Sequence, residues 1–157
     1  MSRAHGTGRT RRMPADWSQQ RHWAEIEVGQ QIPSLDFPLT IHRLVVHAGA
    51  NLDFAPMHHN PEVARAHGAP DVYANNVFVQ GMWERAVREF IGLAGVIKKI
   101  GPLRMTSFAL AGTTARVTGQ VARKWRRDAE HFVEFTMEST AADVVTARGA
   151  IVATLPA

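Results

Sequence analysis

Residues 75–92 read Asn75-Asn76-Val77-Phe78-Val79-Gln80-Gly81-Met82-Trp83-Glu84-Arg85-Ala86-Val87-Arg88-Glu89-Phe90-Ile91-Gly92. Val79, Met82, Trp83, Ala86, Val87, Phe90 and Ile91 fall at i, i+3, i+4, i+7, i+8, i+11 and i+12, one face of an α-helix. Val77 and Phe78 carry the apolar surface around the first turn, so the helix is expected to be engulfed by other structure. Glu84, Arg85, Arg88 and Glu89 mark its one exposed side, and Gly92 ends it.

Beyond the helix the pattern turns to strands. Leu103–Leu110, Thr114–Trp125, Phe132–Glu138 and Val144–Leu155 are the predicted β segments, separated by turn-rich or charged stretches. Alternation is plainest in the third, with Val133, Phe135 and Met137 on one face and Glu134, Thr136 and Glu138 on the other. Arg126-Arg127-Asp128-Ala129 reads as a polar hairpin connection. Successive β segments after one long buried helix predict an α+β fold, an antiparallel sheet wrapped on that helix.

Upstream, Trp17 to Trp23 is a polar, amphipathic turn, and Ile26 to Leu39 gives short extended pieces broken by turn residues. Thr40 can cap a helix carrying Ile41, Leu44, Val45 and Ala48 at helical spacing, with Arg43 and His47 on other faces and an end near Gly49 to Asn51. A further short helix is expected from Asn60 as N-cap and Pro61 at the first helical position to Gly68 as its stop. Between these helices a loop holds Asp53 and His58, five residues apart with Pro56 between them. A carboxylate and an imidazole that close can share one water, and loops on rigid supports are where catalytic groups concentrate.

At 157 residues the chain has the size of one domain, and 45% hydrophobic with 20% charged residues is the balance of a globular protein. The net charge of +4 equals the four arginines of residues 1–12, Arg3, Arg9, Arg11 and Arg12, so the remainder is electrically balanced. Residues 1–19 are expected to be a basic, disordered tail and 20–157 the folded domain. A nucleic-acid footprint would need a basic patch on the folded surface, and no nucleic-acid partner is expected. No apolar run reaches the roughly 18–20 residues of a bilayer span, and the basic N-terminus does not lead into the apolar core of a signal peptide. Zero cysteines exclude a disulfide framework and a thiolate metal site, and fit a cytoplasmic location.

Two bland roles compete for the loop residues: Asp53 as an acid that ties down its own loop, and His58 as a packed histidine beside Met57. A metal site built from His47, Asp53, His58 and His59 is disfavoured, because adjacent histidines do not easily aim both rings at one ion. Met82, Trp83 and Phe90 read as core, with the lining of an acyl tunnel as the alternative. Lys98, Lys99, Arg123, Lys124, Arg126 and Arg127 read as solvated strand ends, with the phosphates of coenzyme A as the alternative.

The run Asn51-Leu52-Asp53-Phe54-Ala55-Pro56-Met57-His58-His59-Asn60 resembles the hydratase signature Ser-Gly-Asp-x-Asn-Pro-x-His-x-Asp of the MaoC-like (R)-specific enoyl-CoA hydratases and dehydratases. The acid, proline and histidine match, while Ala55 stands where that pattern has asparagine. The resemblance implies a hotdog fold, a curved antiparallel sheet around a central helix. It implies a hydro-lyase that interconverts a 2-enoyl-CoA and a (3R)-hydroxyacyl-CoA, with Asp53 and His58 as the catalytic pair and no cofactor. Asn75 and Asn76 then stand at the start of the central helix, where a backbone N–H would polarise the thioester carbonyl. Asn51, His59 and Asn60 are candidate supports around the pair. The Asp-Phe, His-His and helix-start Asn features look most like the small subunit of two-subunit acyl-CoA dehydratases, including those of steroid breakdown. A homodimer or a heteromer with a related hotdog subunit is therefore expected. A non-catalytic partner subunit and a hotdog thioesterase are the other readings.

Overall fold

The computed structural model describes residues 19–157; the basic segment expected to be a disordered tail lies outside them save for Gln19. Strand β1 spans Gln31–Pro38, α1 Ile41–Ala50, α2 Pro61–Ala66, α3 Asn76–Ile91, β2 Val96–Met105, β3 Thr114–Arg127, β4 Glu130–Ala141 and β5 Val144–Leu155. The strands form one antiparallel sheet in the order β1-β3-β4-β5-β2. The sheet curves around α3, giving the hotdog arrangement within the α+β class.

The seven periodic residues of α3 are all buried against the sheet. At the centre of that contact the Trp83 indole N–H donates to Ser139 Oγ at 2.6 Å, and Phe90 meets Phe135 edge to face. Gly149 lies beneath this tryptophan. A Cβ there would sit 2.0 Å from the Pro102 carbonyl oxygen and 3.0 Å from the indole ring, so only hydrogen fits. The first turn of α3 departs from the expectation of an engulfed helix: Val77 is 43% exposed and Phe78 only half-buried. That end of the helix opens to the surface.

β3 runs on through Arg126 and Arg127, read as part of the hairpin connection, and β4 outlasts the expected Phe132–Glu138 at both ends. The two edge strands depart further from the sequence reading. β1 is one continuous strand, with a bulge between Ile32 and Leu35 that accommodates Pro33. Proline is tolerated there because an edge strand leaves one row of backbone groups unpaired. β2 starts seven residues before the predicted Leu103 and ends at Met105, so residues 106–110 are not strand. Register shifts at Ile97/Lys99 and Ile100/Leu103 break its alternation. A bulge moves side chains to the other face, and the periodic signal fails with it.

Helix α1 begins as expected, with Thr40 Oγ1 accepting from Arg43 N. Of its apolar stripe only Leu44 and Ala48 are buried, while Ile41 and Val45 stay exposed. Asn60 caps α2 by accepting from Glu62 N and Val63 N, and Gly68 follows at φ 84°. No helix among the described residues is long and apolar enough to cross a membrane.

Candidate active site

Helix α1 ends in a Schellman motif that places the acid. Leu52 N donates to Gly49 O and Asp53 N to Ala48 O, with Leu52 in the left-handed region at φ 60°. Asp53 is thus the residue immediately after a fixed helix stop. The chain then reaches Pro56, which opens a 3-10 turn over Pro56–His58 and folds the histidine back over the acid. Asp53 Oδ2 and His58 Nε2 lie 3.5 Å apart.

The histidine tautomer follows from its other nitrogen. His58 Nδ1 is 2.9 Å from the carbonyl oxygen of Tyr73, which can only accept, so Nδ1 carries the proton. In the neutral ring Nε2 then presents its lone pair to the carboxylate. The orienting carbonyl is itself fixed, because Ala74 N donates to Ala109 O, Ala111 N donates to Val72 O, and Tyr73 bridges Leu110. The Tyr73 ring also meets the imidazole edge to face at 5.0 Å.

Asn75 does two things at once. Its Oδ1 accepts from Phe78 N at 2.8 Å and caps α3, while its Nδ2 donates to Asp53 Oδ2 at 2.7 Å. The site lacks an amide at Ala55, and Asn75 braces the carboxylate from across the pocket instead. Ala55 contributes its backbone N–H to Asp53 Oδ1 at 3.4 Å.

These groups open into a pocket of about 530 Å³ lined by Asp53, Met57, His58, Tyr73–Asn76 and Met105–Phe108. His58 is 8% exposed, while the Asp53 side chain keeps 31% of its surface open to the pocket. Asn76 and Val77 are the first two residues of α3, and among the described residues their amide N–H groups have no protein acceptor. Such free amides at the positive end of a helix dipole attract negative charge. Phe54, Val77, Met105 and Phe108, all exposed, sit on or next to the lining residues and give the mouth an apolar rim.

The structure brings Asp53, His58, Asn75 and Asn76 together. Asn51 stands behind the acid, its Oδ1 accepting from Asp53 N at 3.1 Å. Asn60 is occupied in capping α2, and His59 faces a separate surface cleft with Pro61, Glu62 and Arg65. Met82, Trp83 and Phe90 are core residues that do not line the pocket. Lys98, Lys99, Arg123, Lys124, Arg126 and Arg127 lie at the start of β2 and the end of β3, away from the pocket end of the sheet marked by Met105. Along β2 that separation is seven residues from Lys98, roughly 20 Å at strand rise. Several are already engaged: Lys98 pairs with Glu130, Arg123 with Glu134, and Lys124 and Arg126 rest on Trp23. Among the described residues no three His, Asp or Glu side chains are grouped to hold a metal ion.

Sequence reasoning did not find the Tyr73 carbonyl or the wall from Thr106 to Phe108. The first is a backbone group with no side-chain signature. The second lies in the stretch misread as strand.

Fold and site together define a hotdog domain with an acid–imidazole pair at the mouth of its central helix. Solved structures with this fold include a chain of the ChsH1-ChsH2 complex from Mycobacterium tuberculosis, 24% identical over 82% of this chain and 98% of that one, with a TM-score of 0.75. R-hydratase PhaJ1 from Pseudomonas aeruginosa is 20% identical over 86% and 85% of the two chains, TM-score 0.74. The MaoC-like dehydratase from Rhodospirillum rubrum is 19% identical over 85% and 96%, TM-score 0.71. At these identities the likeness is one of fold. No protein-family model matches the sequence, and no curated protein does.

Proposed function

We propose that this chain is a MaoC-like acyl-CoA hydratase/dehydratase, a hydro-lyase that adds water reversibly across C2=C3 of a 2-enoyl-CoA to give the (3R)-hydroxyacyl-CoA. The observation that carries the reading is the 3.5 Å approach of Asp53 Oδ2 and His58 Nε2 at the edge of an open pocket. With the ring neutral and its proton on Nδ1, both facing atoms are acceptors, and a water lying on the pocket side within reach of both donates one O–H to each.

As the water oxygen attacks C3, one member of the pair takes its proton, and the pair delivers a proton to C2. Hydroxide and proton have then been added across the double bond, and the pair regains its starting protonation. Negative charge that develops on the thioester oxygen faces the amides of Asn76 and Val77 at the start of α3. The resemblance of residues 51–60 to the hydratase signature and the fold shared with R-hydratase PhaJ1 support the same reading.

The apolar rim of Phe54, Val77, Met105 and Phe108 supports association with a second hotdog chain, either a copy or a related subunit. The ChsH1-ChsH2 neighbour is itself a complex. The alternative reading is that this chain is the non-catalytic member of such a pair.

Purified protein assayed with crotonyl-CoA and with a bulky enoyl-CoA, by loss of enoyl absorbance, separates these readings. Inactivity alone with rescue by a partner chain supports the non-catalytic reading, and release of free thiol supports a thioesterase. In an active enzyme, Asp53→Asn and His58→Ala each lower kcat by about 10²-fold or more, the usual contribution of a general acid/base, with the fold intact by circular dichroism. Near-normal rates in both variants remove the pair from the mechanism.

A further inference from the structure

His47 takes no part in the chemistry just described, yet it touches both halves of the site. It lies one turn before the end of α1 and stacks on Phe78 of α3, ring centroids 4.4 Å apart. Its Nε2 sits 4.0 Å from where a Cβ on Gly81 would be, so the ring lies against α3 at that glycine. On the other edge, His47 Nδ1 is 3.0 Å from Asn51 Nδ2.

The direction of that bond is fixed by its neighbour. Asp53 N must donate, so the Asn51 atom it meets is Oδ1, and the amide nitrogen is left to face His47. His47 Nδ1 therefore accepts, and the ring is neutral with its proton on Nε2. The contacts close a circuit. His47 holds Asn51, Asn51 holds Asp53, Asp53 is held by Asn75, and Asn75 caps Phe78, on which His47 is stacked.

We propose that His47 is a positioning residue: a neutral strut that locks the Asn51 amide and sets the end of α1, with its carboxylate, against the start of α3, with its free amides. The catalytic part of this role rests on the hydratase reading. An amide can pass the protonation state of His47 to the acid. If His47 gains a proton on Nδ1 it offers only donors, Asn51 must turn its oxygen toward the ring, and its NH₂ group then confronts the Asp53 N–H. Asp53 N keeps its second acceptor, Ala48 O at 2.9 Å, so the site loosens without unfolding.

Few charges compete for control of this histidine. On α1, Arg43 lies one turn back and donates to Pro38 O. Phe78 and Gly81 face the ring from α3, and Asn51 faces it from the helix end. Asp53 is the ionisable group that the circuit reaches. Burial lowers the His47 pKa from the ordinary histidine value, which keeps the acceptor available at neutral pH.

Two variants of the full chain separate the contributions. His47→Asn keeps an acceptor near the Nδ1 position but cannot titrate; His47→Phe keeps the ring on Phe78 but cannot accept. The first readout is the backbone amide resonance of Asp53 followed by NMR from pH 8 to pH 5. In the wild type it moves with the titration of His47, and in His47→Asn that inflection is gone. The second readout is kinetic, with folding checked by circular dichroism. His47→Phe lowers kcat about tenfold with little change in KM, as a small misplacement of a reacting group does, while His47→Asn stays within about threefold of wild type. An Asp53 amide that ignores His47 overturns the proposal whether or not the protein hydrates enoyl-CoA. An active wild type with unchanged kcat in His47→Phe also overturns it and leaves the hydratase reading standing.

Discussion

Asn75 joins the cap of the central helix to the candidate acid, and replacing it in two ways separates those jobs. In Asn75→Ala both are lost. Loss of an N-cap costs about 1 kcal/mol. Removal of a donor to a carboxylate costs about 1.5–3 kcal/mol, and the lower half of that range applies because Asp53 is one-third open to water. The sum is about 2.5–3.3 kcal/mol, or about 5–13 °C in melting temperature at about 2–4 °C per kcal/mol for a chain of this size. Asn75→Asp keeps the cap, with a carboxylate favoured by the dipole at that position. It places a second carboxylate oxygen where Nδ2 now stands, 2.7 Å from Asp53 Oδ2. Two charges at that separation repel by about 6 kcal/mol at an effective dielectric of about 20, enough for the pair to retain a proton between them. One carboxyl then has a folded-state pKa raised above its unfolded value near 4. The folded state binds more protons than the unfolded state, so the stability this contributes is present below about pH 4 and lost as pH rises through the raised value. The assay is thermal unfolding of wild type, Asn75→Ala and Asn75→Asp from pH 4 to pH 9. Asn75→Asp is expected to approach wild type at the acid end and to fall progressively below it toward the alkaline end. A constant offset from wild type across that range would refute the placement of Asn75 against Asp53.

Other substitutions test the scaffold behind the site. Leu52→Gly removes a left-handed leucine whose side chain is 74% exposed, and is expected to raise stability by up to about 1 kcal/mol in urea unfolding. A loss of stability would mean that the helix stop is not the Schellman motif described. Gly149→Ala forces a methyl group against the Pro102 carbonyl and is expected to cost about 3 kcal/mol or more. Gly49→Ala, in α1 with open space around it, is expected to gain about 0.5–1 kcal/mol. Equal effects at the two glycines would contradict the packing of β5 under Trp83.

Much of the α-helical structure is legible in the sequence because its signals are local. The spacing from Val79 to Ile91 reports a helix with one buried face, and all seven of those residues are buried. Thr40 and Asn60 mark helix starts, because a short polar side chain satisfies amides that have no partner within the helix. The hotdog arrangement followed from a resemblance carried by about residues 40–92, the run 51–60 and the start of the central helix included, together with the order of helix and strands. Pattern reading failed where one-sided burial fails. β1 and β2 are bulged edges, and residues 106–110, taken as strand, lie outside it, with Thr106 to Phe108 walling the pocket.

For the candidate site, the sequence by itself fixed which acid and which imidazole stand on either side of a proline, because Pro56 and the end of α1 constrain a span of only a few residues. Tertiary structure decided everything that crosses the chain. Asn75 reaches Asp53 over 22 residues, the Tyr73 carbonyl selects the tautomer of His58 from 15 residues away, and His47 meets Phe78 between two helices. It also put the basic ends of β2 and β3 away from the pocket, a separation invisible in composition. Hydrogen bonds and ring contacts act over a few ångströms, and only the packed fold sets which distant residues come within that reach.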